Sequence, residues 1–197
     1  MNKSRLEAFS DGVLAIIITI MILELKIPEG TSLQALKPLW PALCSYILSF
    51  VFIGIYWVNH HHLLHTVKRV NGAIMWANLF LLFCLSLVPF VTGWMGASNF
   101  DKITVAAYGA LLLFCGVAFT ILANAIKKTY TKETGITLAL AKSKPKTTLS
   151  TLLYMVSIPT ALYISPLLSA LLFATVSVMW IVPSKAIEQA LAEQDEK

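Results

Sequence analysis

The sequence is poor in charge. Only 13% of its 197 residues are Asp, Glu, Lys or Arg, while 57% are hydrophobic; a soluble domain averages roughly 25% charged. A water-soluble globule is excluded, and a mean hydropathy of +0.75 makes the chain an integral membrane protein. Cysteine is scarce as well. Cys44, Cys84 and Cys115 lie inside apolar runs without Cys-x-x-Cys spacing. That pattern excludes a disulfide framework and a thiolate metal site, leaving small buried hydrophobes. No small-x-small cleavage site follows the first apolar run, so that run is expected to stay as a helix. No His-Glu-x-x-His and no nucleophile–base pair occurs within the spans. Neither an enzyme nor a cofactor is expected.

What is present is a series of long apolar runs. A crossing takes about 20 residues, and six are expected at 5–25, 39–60, 73–95, 104–126, 147–164 and 167–182, forming one all-α transmembrane domain over 1–197. The last two are short and separate only at Ser165-Pro166, because proline interrupts a helix. The basic residues set the orientation. Lys3, Arg5, Lys68, Arg69, Lys127, Lys128, Lys132, Lys142, Lys144, Lys146, Lys185 and Lys197 fall on one side, against Lys26, Lys37 and Lys102 on the other. The positive-inside rule then places both termini in the cytoplasm. The net charge of +5 needs no nucleic acid to explain it; the basic loop at 127–146 faces anionic headgroups. An apolar patch at 136–141 is expected at the interface, and the tail at 184–197 as an extension of the last helix.

The first run, Arg5-Leu-Glu-Ala-Phe9-Ser10-Asp11-Gly12 and on to Leu23, carries the chemistry. A carboxylate where a helix enters lipid is costly and marks a functional hypothesis. At about 100° per residue, Phe9, Gly12, Thr19, Ile20 and Leu23 fall within about 60° of Ile16, whereas Ser10 and Asp11 lie beyond about 100°. The polar pair is therefore expected to point back into the protein. Its candidate partners are Asn59, His60, His61 and His62 at the end of the second span, and Trp76 and Asn78 at the start of the third. The opposite stripe of Ile16, Ile20 and Leu23, with the hydroxyl of Thr19, suits lipid, a neighbouring helix or a pore axis.

Arg5-x-x-x-Phe9-Ser10-Asp11, opening the first of six spans in a chain near 200 residues, resembles the bacterial branch of the transmembrane protein 175 family. The resemblance implies a potassium channel in the plasma membrane, built as a homotetramer of six-span units. The first helix of each unit lines the central pore, and Arg5, Phe9, Ser10 and Asp11 fix that helix to its neighbours. Carried over by position, Ile16 forms the narrowest ring, Thr19 or Ile20 the next layer, and Leu23 the last. The permeant K⁺ is the only ligand implied.

Three other features compete. Ala106-Ala-Tyr108-Gly109-Ala110 faintly matches a conventional potassium filter but sits in a continuous helical run, and is rejected. His61 and His65 have the i, i+4 spacing that can grip zinc, yet no carboxylate or cysteine lies nearby in sequence. Polar interfacial histidines are expected, with no metal. The alternative function is a proton- or cation-coupled transporter using Asp11 and the histidines at 60–65 as a relay.

Overall fold

The computed structural model describes residues 2–130, 137, 138, 141 and 144–181, and all its regular elements are helical. Half of the apolar patch at 136–141 and all of the tail at 184–197 lie outside the described residues.

The chain runs through α1 (Lys3–Leu23), a 3-10 turn at Leu33–Leu39, α2 (Trp40–His65), α3 (Gly72–Ser86), α4 (Val88–Ala97), α5 (Lys102–Lys127), α6 (Lys144–Tyr163) and α7 (Pro166–Ile181). Local chemistry sets several starts. The Asn71 side chain accepts from the Ile74 N–H at 2.9 Å, and Asp101 accepts from the Ile103 N–H at 2.9 Å. Both are N-caps that satisfy an otherwise orphaned donor. Among the described residues, four segments are long and apolar enough to cross a bilayer, namely Lys3–Leu23, Leu33–His65, Gly72–Ala97 and Lys102–Lys127. Helices α6 and α7 pair as a hairpin, tied where Ser169 Oγ donates to the Ser157 carbonyl at 2.6 Å.

Two boundaries differ from expectation. The second span continues as helix to His65, so all four histidines ride on α2. The third span is two helices broken at Leu87. Pro89 has no N–H for the Leu85 carbonyl and would clash with it in a straight helix; α3 closes instead with the Leu87 N–H donating to the Cys84 carbonyl at 3.3 Å.

Helices α2, α4 and α5 are joined by hydroxyls. Ser49 Oγ lies 2.6 Å from Thr92 Oγ1 and 2.9 Å from the buried phenol of Tyr108. The rejected Tyr108-Gly109 segment is thus interior helix packing. In lipid, where apolar burial drives no association between helices, small residues and such hydrogen bonds hold the bundle. Gly96 is the closest approach: a Cβ there would come 2.7 Å from the Ala42 Cα and 2.6 Å from Ser45 Oγ. Because the Ala42 atom is backbone, α2 and α4 must move apart to admit a methyl. Gly96→Ala is expected to cost about 1–3 kcal/mol, measured as a lower midpoint of unfolding in SDS.

Candidate functional site

Helix α1 packs against α2, α3 and α4. It buries Leu6, Ser10, Leu14, Ile17 and Met21, a run at i, i+4, i+8, i+11 and i+15 that makes one helical face. Ser10 is the polar member, and it is fully buried. Its Oγ donates to the Leu6 carbonyl at 2.8 Å and accepts from Asn78 Nδ2 at 2.9 Å. Asn78 Oδ1 lies 2.7 Å from His60 Nε2. An amide oxygen can only accept, so Nε2 carries the proton. The result is a directed chain, His60 to Asn78 to Ser10 to the Leu6 carbonyl, crossing α2, α3 and α1. A buried amide without partners would cost several kcal/mol in an apolar medium; here both ends are satisfied.

Asp11 has a different surrounding. It does not go inward with Ser10, because one residue along the helix turns it about 100° onto the exposed side. It accepts from Trp57 Nε1 at 3.0 Å. The sequence alone points to Asn59, one of His60–His62, Trp76 or Asn78 for that role, and the partner is instead Trp57. The signal available was an indole, a donor with no acceptor capacity, one turn before His60 on the same helix. Trp76 instead points outward, 74% exposed. His61 stacks on His65 with ring centroids 5.8 Å apart and also neighbours Trp57 and His62. Asn59 donates to the Ile55 carbonyl of its own helix. Among the described residues no three of His, Cys, Asp or Glu converge on one point.

Arg5 and Phe9 are exposed on α1. The basic residue that ties this end down is Lys3, which the sequence marks only as part of the charge that sets orientation. Its Nζ donates to the His65 carbonyl at 2.7 Å and lies 3.8 Å from the Glu7 carboxylate. A cation on the last carbonyls of α2 complements that helix's dipole.

The other face of α1 is bare in the single subunit. Phe9, Gly12, Ile16, Thr19, Ile20 and Leu23 are all exposed, Ile16 at 58% and Leu23 at 79%. Thr19 Oγ1 donates to the Ile16 carbonyl at 2.9 Å. With its hydrogen committed to the backbone, the oxygen keeps its lone pairs for whatever faces it. Glu24, just past the helix, leans on α4: its Oε2 would be 3.0 Å from a Cβ at Gly93.

Fold and site together define a multi-pass helical membrane protein whose first helix is clamped along one face and unpartnered along the other. The chain belongs to the TMEM175 family, a family of ion channels and not of enzymes. The family model described as endosomal/lysosomal potassium channel TMEM175 matches residues 5–89, which hold every residue of the clamp except Lys3. A potassium channel of Chryseobacterium sp. (strain P1-3) is 49% identical over 193 residues, spanning 98% of this chain and 100% of that one. The human endosomal/lysosomal proton channel TMEM175 is 34% identical over 86 residues, 38% of this chain and 17% of that one. Among solved structures, the crystal structure of a lysosomal potassium-selective channel TMEM175 homolog from Chamaesiphon minutus superposes with a TM-score of 0.77. It is 26% identical and covers 92% of this chain and 97% of that one.

Proposed function

We propose that the chain is one subunit of a homotetrameric potassium channel of the plasma membrane, with both termini cytoplasmic and α1 of each subunit lining the pore. The observation that carries this reading is the division of α1 into a clamped face and an apolar stripe without a partner. Ion conduction needs a symmetric ring of such stripes around an axis, and one subunit supplies one quarter of it. The family match at 5–89 takes in α2, α3 and all of α1 except its first two residues, so it spans the helix proposed to line the pore and both helices that grip it by side-chain bonds.

Ile16 forms the constriction. An aliphatic ring offers no oxygen to replace the water around an ion, so when narrow it dewets and blocks, and when wider it passes a partly hydrated ion. K⁺ then has the advantage over Na⁺, because its hydration shell deforms more readily. One turn on, Thr19 presents oxygen lone pairs that can take the place of lost waters, with Ile20 and Leu23 completing the apolar wall.

Purified protein in planar bilayers, with K⁺ on one side and Na⁺ on the other, tests the reading. Discrete current steps reversing near the K⁺ equilibrium potential are expected. Slow flux that requires a coupled proton gradient would instead support a transporter working through Asp11 and the α2 histidines.

A further inference from the structure

A broad groove of about 1060 Å³ opens between α3 and α5, away from the bare stripe of α1. Its rim is polar and basic, with Arg69 and Asn71 on one side and Asn124 and Lys128 on the other. Its wall is apolar, formed by Trp76, Phe80 and Ile121. The two parts lie at different depths. Phe80 is about 12 Å along α3 from Gly72, and Ile121 about 10 Å along α5 from Lys128, at ~1.5 Å per residue.

The rim is built. The Tyr130 phenol donates to the Thr66 carbonyl, and Lys68 lies over the Tyr130 ring, 5.5 Å from its centroid. These contacts pin the α2–α3 connection, which carries Arg69, to the end of α5, which carries Lys128. Burial pushes the Tyr130 phenol above its ordinary pKa, although the bond to Thr66 opposes this, so it remains a neutral donor. Asn71 holds the start of α3, where the remaining N-terminal N–H groups favour an anion.

Among the described residues that line the groove, the charge is all of one sign. No Asp or Glu occurs between Glu29 and Asp101, or between Asp101 and Glu133. Neither Arg69 nor Lys128 forms an ion pair among the described residues. Trp76, 74% exposed one turn into α3, is placed as interfacial aromatics are.

We propose that this groove binds one anionic phospholipid per subunit, its phosphate between Arg69 and Lys128 and its acyl chains along Trp76, Phe80 and Ile121. Cations alone would recruit any anionic surface, and an apolar wall alone any lipid. A basic rim directly above an apolar wall selects a molecule with both parts. Pockets for small molecules run to roughly 1,000 Å³, so the groove accommodates a headgroup with the upper part of its chains. Headgroup capture by basic pockets between helices on the positively charged side follows the same physics.

The full-length protein in detergent micelles, titrated separately with phosphatidylglycerol and phosphatidylcholine and read by native mass spectrometry, tests this without reference to conduction. Phosphatidylglycerol is expected to be retained at one per subunit in preference to phosphatidylcholine. R69Q/K128Q should weaken that retention about thirtyfold, from roughly fivefold per cation. K127Q/K144Q removes the same charge at the same end but outside the rim, and should leave retention unchanged. Equal retention of the two lipids, or equal loss in the two variants, overturns the site. Glycerol phosphate bound as tightly as the lipid overturns the role of the apolar wall. Short cross-links between subunits through W76C would assign the groove to a second copy of the chain and overturn the proposal.

Discussion

Ile16→Asn is expected to lower the ratio of K⁺ to Na⁺ permeability several-fold while raising the current carried by both ions. The side chain is 58% exposed on the bare face of α1, so an amide replaces the isoleucine without entering the core. In a ring of four, the amides hold water at all times and supply oxygen and N–H groups where the wild type supplies none. Dewetting is abolished, and with it the demand that an ion shed part of its shell, which is where the preference for K⁺ arises. Ile22→Asn is the control. Ile22 is also exposed, at 45%, but lies about 120° around the helix from Ile16. It should change insertion or stability and leave the permeability ratio alone. Bi-ionic reversal potentials measure both, and an unchanged ratio in Ile16→Asn removes Ile16 from the constriction.

Asn78→Ala is expected to destabilise the subunit by about 1–3 kcal/mol, because it breaks two interhelical bonds and leaves His60 Nε2–H buried without an acceptor. Ser10 keeps its bond to the Leu6 carbonyl, so most of the loss falls on the α2–α3 side of the chain. The double variant His60→Leu with Asn78→Leu removes both ends of that bond. It should therefore be less destabilised than the sum of its single variants. Trp57→Phe, which deletes the donor to the exposed Asp11, should cost less than Asn78→Ala. Unfolding in SDS, compared across these variants, measures all three. If Trp57→Phe proves the costlier, the buried chain is not the main clamp.

The clamp shows where sequence reading stops. Ser10 and Asp11 were both legible as a polar pair off the Ile16 stripe, because that follows from helical period alone. Their divergence was not, since adjacent residues differ by about 100° and only packing against α2 and α3 determines which of the two is covered. Asn78 was among the candidate partners of the pair. Trp57 was not, because it lies a turn deeper in α2 than the polar cluster at 59–62, and only the packing of α1 on α2 brings its indole to Asp11. The anchoring role of Lys3 was not legible either: its partner is a backbone carbonyl at the end of α2, and a carbonyl leaves no mark in composition.

The sequence by itself determined that the chain crosses a membrane, where its helices lie to within about five residues, and how unequally its basic residues are shared along the chain. Hydropathy and charge are sums over neighbouring residues, so a linear reading recovers them. The tertiary structure alone decided the break at Leu87, the inward turn of Ser10 against the outward turn of Asp11, and the meeting of Arg69 with Lys128 across one groove. Each of these depends on which helices pack together and in what register, and in a membrane that choice rests on small residues and individual hydrogen bonds. Those act between distant positions and have no local period.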